Sequence, residues 1–274
     1  MKSKLVFLTW MTALTLSFGL TSAGAQDWTP AASSNTTWQA IAASADGTKL
    51  VAAAIEGSIY TSTNSGFTWT LTGAPTNRWS HVASSADGTR LVAVAESPEP
   101  LVVHSDPELG AIYISTNSGA TWTQASAPTN GWASVASSAD GARLVSLSGE
   151  VYNQTGPIYV SMDGGAHWTD TGAPSNLWQS VASSADGTKL VAVAGSGPIQ
   201  PLGIVYVPVA GPIYRSTDSG STWTPSSAPS NVWRSVTCSA DGSKLAAVLY
   251  EGRIYTSTNF GASWTPTSAP SNYW

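Results

Sequence analysis

The sequence predicts an all-β fold, a β-propeller of four-stranded antiparallel blades. Pairs of tryptophans ten residues apart recur along the chain, and no window after the N-terminal segment shows helical periodicity. A repeat of this length is typical of architectures built from copies of one supersecondary unit. Five units follow one another between Trp38 and Trp274. We expect either a closed five-bladed ring or part of a six- or seven-bladed one.

Each unit contains candidates for four short strands in a fixed order. In the fourth unit these are the segments 178–184, 189–194, 213–216 and 222–224. An Ala-Asp-Gly turn signal separates the first two strands, and Asp-Ser-Gly separates the last two. The second strand is apolar on both faces, as expected when neighbouring sheets cover both of its sides. Radial repetition of such units predicts the propeller.

The units are 38–78, 79–131, 132–177, 178–232 and 233–274, and their lengths vary in one place only. The extra residues fall between the second and third strands, at roughly 96–110, 148–156 and 195–211. In a four-stranded meander this connection lies on the face opposite to the two regular turns. Because binding residues concentrate in loops on a rigid scaffold, we expect a ligand site on that face.

Residues 1–25 have the organisation of a secretory signal peptide. Lys2 and Lys4 precede an apolar run, and the segment ends in Ala23-Gly24-Ala25. This order of basic, apolar and small residues predicts cleavage before Gln26 and a mature chain 26–274 that is secreted or periplasmic. No other stretch is long and apolar enough to cross a bilayer.

Composition limits the partners. Charged residues make up 10% of the chain, the formal net charge is −5, and no basic run is present. An acidic chain of this kind is not expected to bind nucleic acid or an anionic membrane surface. Cys238 is the single cysteine, which excludes an intramolecular disulfide. The three histidines share no ligand spacing, so neither a metal nor a cofactor is predicted.

One segment recurs between the third and fourth strands of every unit. It reads Ser-x-Asn-x-Gly-x-Thr-Trp, or the same with Asp for Asn or with His or Ser for Thr, and begins at Ser62, Ser115, Ser161, Ser216 and Ser257. It resembles the Asp-box (BNR) repeat of the sialidase superfamily. Such repeats also occur in xyloglucan-cleaving glycoside hydrolases, sortilin-type receptors, photosystem assembly factors and WD/YVTN/BNR-like repeat proteins. The resemblance implies a propeller whose Asp boxes lie away from any catalytic centre.

The Asn or Asp of each copy is expected to have a structural role. Its side chain can accept hydrogen bonds from the backbone N–H groups of its own turn, and the following Gly permits positive φ. The residues concerned are Asn64, Asn117, Asp163, Asp218 and Asn259.

A glycoside hydrolase of the sialidase type is the enzymatic alternative. Such chemistry needs two carboxylates in different environments. Seven of the sixteen acids are assigned to turns, and four others recur near the end of the second strand: Glu56, Glu96, Glu150 and Glu251. The resemblance further implies three arginines and a Tyr–Glu pair, but four of the six arginines are scattered over unrelated repeat positions. We therefore assign no catalytic residues, and expect these acids to bind a ligand if they have a function.

Tryptophans that open the first strand suggest a second group of binding residues. Five of them have Asn two positions earlier, and a ring of this kind could combine stacking with amide hydrogen bonds. The candidates are Trp79, Trp132, Trp178, Trp233, Asn77, Asn130, Asn176 and Asn231. Core packing is the favoured interpretation of the tryptophans, and ligand stacking is the alternative.

The favoured hypothesis is a secreted, non-enzymatic propeller that binds a glycan or an extracellular protein. A role like that of the photosystem assembly factors is a further alternative. If the ring is open, the chain is expected to self-associate through exposed strand edges.

Overall fold

The structure, a computed structural model, describes residues 37–55, 57–96, 110–149, 155–196 and 208–273. The repeated part belongs to one compact unit, Ala31–Trp274. It consists of five four-stranded antiparallel sheets, one for each sequence repeat, and we call each sheet a blade. None of the described residues forms a helix that could cross a membrane.

The strands of each blade follow one another along the chain. Blade 1 contains β1 (Trp38–Ala43), β2 (Leu50–Ala54), β3 (Ile59–Ser62) and β4 (Thr70–Leu71). Blade 2 contains β5 (Trp79–Ser84), β6 (Leu91–Ala95), β7 (Ile112–Ser115) and β8 (Thr123–Gln124). Blade 3 contains β9 (Trp132–Ser137), β10 (Leu144–Gly149), β11 (Thr155–Ser161) and β12 (Thr169–Asp170). Blade 4 contains β13 (Trp178–Ser183), β14 (Leu190–Ser196), β15 (Val209–Ser216) and β16 (Thr224–Pro225).

Blade 5 has the same four strands and an additional pair. Its sheet contains β17 (Trp233–Cys238), β18 (Leu245–Leu249), β20 (Ile254–Ser257) and β21 (Thr265–Pro266), while β19 (Glu251–Gly252) pairs with β22 (Asn272–Tyr273). The first strand of every blade opens at the tryptophan that the sequence indicated. The fourth strands are only two residues long, and they start after the Trp that we expected to lie within them.

Consecutive blades are joined by apolar side chains from their second strands. All five residues of β6 are buried, because blade 1 covers one of its faces and blade 3 covers the other. The first junction places Val51 and Ile59 of blade 1 against Trp79 and Val82 of blade 2. Three further clusters repeat this arrangement at the later junctions. Burial of this apolar surface is the main force that holds the blades together.

The blades form an arc with two ends. The first strands pack in the order β1, β5, β9, β13 and β17. Within the described residues, however, β1 and β17 do not pack against each other as the consecutive pairs do. A closed five-bladed ring, one of the two arrangements left open by the sequence, is therefore not what the structure shows.

The two regular turns of a blade lie on one face. The N–H of Ser65, between β3 and β4, donates to the carbonyl oxygen of Thr48, between β1 and β2, at 2.9 Å. The same contact recurs in the other four blades. On the opposite face, Gly57 pairs with Asn77, which links the connection between β2 and β3 to the start of blade 2. The antiparallel topology thus places the described ends of every insertion opposite the regular turns.

Candidate functional site

The aspartates of the Ala-Asp-Gly turns are engaged within their own turns. Asp46 accepts hydrogen bonds from the Ser44 hydroxyl at 2.6 Å and from the Thr48 N–H at 3.0 Å. These bonds lower its pKa from the ordinary 3.8 to about 2. The equivalent carboxylates make the same kind of bonds and also have lowered pKa values: Asp87, Asp140, Asp186 and Asp241. They stabilise turns and are not arranged as acid–base groups.

The turn between the third and fourth strands is held by its Asn or Asp side chain. In blade 1, Asn64 Oδ1 accepts from the Ser62 hydroxyl at 3.0 Å and from the Thr68 N–H at 2.9 Å. In blade 3, Asp163 also contacts His167 Nδ1 at 2.6 Å, and bonds to His167 and Ser161 lower its pKa. The remaining copies form the corresponding bonds: Asn117, Asp218 and Asn259. All five residues therefore serve the fold.

The tryptophans of the first strands are core residues. The exposed fraction is 0% for Trp79, Trp132 and Trp178 and 1% for Trp233. A ring with no accessible face cannot stack on a ligand, so the predicted stacking platform is wrong. Each ring instead packs edge-on against the tyrosine of the third strand of its own blade, as Trp79 does on Tyr113 with centroids 5.4 Å apart. Edge-to-face pairs are a favoured aromatic geometry.

The asparagines that precede these tryptophans connect blades through their backbones. Asn77, Asn176 and Asn231 each pair with the glycine that lies two positions before the third-strand isoleucine of the preceding blade. The Asn130 N–H donates to the carbonyl oxygen of Gly110 at 3.0 Å. The side-chain oxygens of Asn77 and Asn231 accept from the next residue's N–H. The side-chain oxygens of Asn77 and Asn231 are thus engaged locally, whereas Asn130 lies at a pocket described below.

Of the four recurring glutamates, the structure describes Glu96 and Glu251, and these two occupy different positions in their blades. Glu56 and Glu150 lie outside the described residues. The N–H of Glu96 donates to Arg78 at 2.9 Å, and in blade 5 the equivalent bond runs from Tyr250 to Val232. Glu96 is therefore in register with Tyr250, one position earlier than Glu251. Glu96 thus lies near the end of the second strand, as the sequence indicated, but at a different repeat position from Glu251.

Glu96 forms an ion pair at the base of an insertion. Its carboxylate lies 2.9 Å from Arg78 Nε, and both side chains are about one-third exposed. Burial raises the pKa of Glu96 above its ordinary value of 4.5, while Arg78 opposes the shift. Glu251 belongs to another blade and is exposed. Because two blades lie between them along the chain and Glu96 is engaged by Arg78, we do not assign these carboxylates as the pair that glycoside hydrolysis requires.

Other charged groups are also dispersed. Arg215 donates to the Phe260 carbonyl oxygen at 2.8 Å, and Arg234 donates to the Gln179 side chain at 3.1 Å. Arg78 is held by Glu96, so the three-arginine site that the sialidase resemblance implies is not assembled from these residues. No group of His, Cys, Asp and Glu in the described part of the chain could hold a metal ion.

A small pocket opens on the face opposite the regular turns. It has a volume of about 100 Å³ and is lined by Asn130, Ser148 and Thr155 together with backbone from neighbouring glycines. Asn130 comes from the link between blades 2 and 3, and the other two flank the insertion of blade 3. The pocket offers amide and hydroxyl groups, which can donate and accept hydrogen bonds.

A larger groove lies on the outside of the arc. It has a volume of about 420 Å³ and runs between the outer strands of blade 2 and the Gly164 turn of blade 3. Its lining is mostly threonine, alanine and glycine, and Asp163 in its wall is engaged in its own turn. Because the groove is formed by strands and turns that recur in every repeat, we do not regard it as the ligand-binding site.

The insertions arise from three consecutive blades. The connection from second to third strand is short in blades 1 and 5 and long in blades 2 and 4, where it spans residues 96–111 and 197–208. In blade 3 the connection itself is only 150–154, because most of the inserted residues lengthen β10 and β11. The described ends of these connections are Glu96 and Gly110, Gly149 and Thr155, and Ser196 and residue 208. We call the surface formed by these ends and the pocket the insertion face. Sequence reasoning located this face but not the pocket, because neither Ser148 nor Thr155 belongs to a recurring motif.

Comparison with known proteins defines the fold. No protein-family model and no curated protein matches the sequence. The chain superposes on the GH74 xyloglucanase from Xanthomonas campestris with a TM-score of 0.62 and 19% identity, covering 85% of this chain and 38% of that one. A chain of a nidogen/laminin complex aligns with a TM-score of 0.59 and 12% identity, covering 84% of this chain and 79% of that one.

The fold is a β-propeller. At these identities the likeness concerns the fold alone, and the chain spans little more than a third of the xyloglucanase chain. The relation to Asp-box repeats remains a resemblance carried by the five turns.

Proposed function

We propose that this propeller is a secreted, non-enzymatic binding protein that holds an extracellular protein on its insertion face. The observation that carries the proposal is that three consecutive blades, 2 to 4, have insertions between their second and third strands, at the same end of the sheet. Adjacent loops on a rigid scaffold can form one continuous surface, and specific protein interfaces need about 800 Å² from each partner. Three neighbouring insertions can together supply an interface area of this size.

A protein ligand fits this face better than a glycan. The tryptophan rings that would have stacked on sugars are buried in the junctions between blades. The insertion sequences themselves contain apolar runs, Leu101-Val102-Val103 and Ile204-Val205-Tyr206-Val207. Aliphatic and aromatic groups with few charges are typical of the centre of a protein interface. A glycan remains the second candidate, favoured by the hydroxyl and amide groups of the pocket at Asn130.

Glycoside hydrolysis is the weaker candidate. The xyloglucanase among the structural neighbours acts on a polysaccharide, and this chain shares its propeller fold. Glu96, however, is paired with Arg78, and the aspartates of the regular turns are engaged in hydrogen bonds. Nothing in the described residues favours the assembly-factor alternative. Secretion rests on the predicted signal peptide, and N-terminal sequencing of the exported protein should begin at Gln26.

A loop-shortening experiment tests the binding proposal. Blade 1 provides the template, since Ala54 and Gly57 are joined by only two residues. Replacing residues 97–109 with a single glutamate gives blade 2 a connection of the same length. The protein and this variant are presented to arrays of purified extracellular proteins and of glycans. We expect protein ligands for the parent and at least tenfold weaker binding for the variant.

Phe67→Arg is the control, because Phe67 is 76% exposed and lies in a regular turn on the opposite face. It should bind as the parent does. Binding that survives the shortening of the connection, or that is lost in Phe67→Arg, contradicts the proposal. Hydrolysis of sialosides or xyloglucan that disappears in Glu96→Gln contradicts the non-enzymatic assignment.

A further inference from the structure

The first end of the arc exposes a position that is buried in every other blade. We call the side of a blade that packs on the preceding blade its leading face. The fourth residue of the first strand lies on this face and is at most 6% exposed in blades 2 to 5, at Val82, Val135, Val181 and Val236. In blade 1 the equivalent residue is Ile41, which is 64% exposed. An apolar position used at every internal junction is therefore uncovered at this end.

The other end of the arc is uncovered in a complementary way. We call the side that packs on the following blade the trailing face. Its third-strand isoleucine is at most 1% exposed in blades 1 to 4, at Ile59, Ile112, Ile158 and Ile213, whereas Ile254 of blade 5 is only half-buried. Ser235 in β17 is exposed, while its equivalent in blade 3, Ser134, is 1% exposed.

Backbone hydrogen bonds run through all four junctions in one direction. The N–H of the alanine in each Ala-Asp-Gly turn donates to the carbonyl oxygen of the same alanine in the next blade. The four bonds are 2.7 to 2.8 Å long and join Ala45 to Ala86, Ala86 to Ala139, Ala139 to Ala185 and Ala185 to Ala240. Among the described residues, no bond of this series starts at Ala240 or ends at Ala45. One end of the arc thus offers a donor and the other an acceptor.

Side chains repeat the same polarity. Lys49 Nζ donates to the Asp87 carbonyl oxygen at 3.0 Å, and Lys189 donates to Asp241 at 2.8 Å. The next member of this series is Lys244, on the trailing face of blade 5. Another series joins the first strands, because the Ser180 hydroxyl accepts the Val236 N–H at 3.2 Å.

At the end of this series, Ser235 occupies the position of the accepting hydroxyl. The donor it would require at the other end of the arc is the Ile41 N–H. The hydrogen-bonding groups on the trailing face of blade 5 therefore complement those on the leading face of blade 1.

We propose that the leading face of one copy docks on the trailing face of a second copy, repeating the junction that the chain forms four times within itself. A partner that docks on the trailing face of blade 5 must carry an apolar residue at the position of Ile41 and a backbone carbonyl group at the position of Ala45. A second copy supplies both. The same chain does not, because within the described residues β1 and β17 do not pack against each other as consecutive first strands do. The contact is head-to-tail, so association is heterologous and extends beyond a dimer unless the series closes.

Sedimentation of two complementary variants tests the proposal. Ile41→Arg blocks the leading face, and Ser235→Arg blocks the trailing face; both side chains are exposed, so neither change disturbs the core. The parent should form species larger than a dimer as its concentration rises, whereas each variant alone should remain monomeric. An equimolar mixture should contain a dimer and nothing larger, because it holds one intact face of each kind.

Phe67→Arg should associate like the parent, since it removes an apolar side chain that is more exposed than Ile41 but lies elsewhere. Circular dichroism should confirm that all variants are folded. A parent that stays monomeric overturns the proposal. So does association that persists in either variant, which would show contact through strand edges, and so does a mixture that remains monomeric.

Discussion

Trp79 donates a hydrogen bond of 3.0 Å from its indole nitrogen to the carbonyl oxygen of Gly57, across the junction between blades 1 and 2. The residue that sequence reasoning assigned to ligand stacking is thus part of the contact between blades. The indole nitrogens of Trp132, Trp178 and Trp233 are buried as well but have no partner within the described residues. Trp79 therefore differs from the three equivalent tryptophans in this one hydrogen bond.

This difference predicts unequal costs for the same substitution. Trp79→Phe removes ring volume and a buried hydrogen bond, whereas Trp132→Phe removes ring volume only. We expect Trp79→Phe to lower the free energy of unfolding by about 1 kcal/mol more than Trp132→Phe, the usual net worth of one hydrogen bond. Urea denaturation measures both. Equal losses would mean that the bond to Gly57 does not contribute to stability.

Glycine is required where the insertion of blade 2 returns to the sheet. A Cβ at Gly110 would lie 2.5 Å from the carbonyl oxygen of Asn130, and the residue has a φ of 79°. Gly172 has a φ of 67° and nothing near the place of its Cβ. Both alanine variants bear the strain of a positive φ, but only Gly110→Ala also creates a steric overlap. We therefore expect Gly110→Ala to lower the free energy of unfolding by about 2 kcal/mol more than Gly172→Ala. Similar midpoints in thermal unfolding would contradict this assignment.

Acid should weaken the turns of the regular face. The pKa of Asp46 falls from 3.8 to about 2 on folding, so its ionised form favours the folded state. That contribution is present above pH 4 and is lost as the pH falls toward 2. Stability measured by urea denaturation should decline over this interval, and less steeply in Asp46→Asn. Glu251→Gln, which removes an exposed charge, is the control and should leave the decline unchanged.

The Arg78–Glu96 pair should show a pH-dependent cost when it is broken. Burial raises the pKa of Glu96 above its ordinary value of 4.5, so ionisation of Glu96 disfavours the folded state. This penalty is full above the raised pKa and is absent below pH 4.5. Arg78→Leu removes the compensating cation and should cost about 1 kcal/mol at pH 7 and less at pH 4. In a Glu96→Gln background the cost should shrink. An equal cost in both backgrounds would show that the two side chains are not coupled.

The blade and the two faces could be predicted from the sequence because their signals are local. Ala-Asp-Gly fixes one turn, and Ser-x-Asn-x-Gly fixes the other, with Asn64 bonded to residues at most four positions away. One detail of the second turn was missed: the residue before the glycine also has positive φ, as at Ser65 with 57° and Phe260 with 51°. Such a conformation is uncommon outside glycine and leaves no clear mark in the sequence.

The sequence alone could not decide between core packing and ligand stacking for the first-strand tryptophans, because the strand is irregular. Pairing shifts register between Trp79 and His81, so a bulge separates the tryptophan from the rest of the strand. Simple alternation would place Trp79 and Val82 on opposite faces, but the bulge brings both onto the leading face, where they pack on blade 1. The number of blades needed for closure depends on the angle between blades, which no single repeat encodes.

Amide hydrogen exchange of the protein with and without its bound ligand tests the central claim most directly. We predict that binding slows exchange at the ends of the insertions, around Gly110, Gly149 and Gly156, and leaves the turns at Thr48 and Ser65 unchanged. Protection at the turns, with unaltered exchange at the insertion face, would contradict the account.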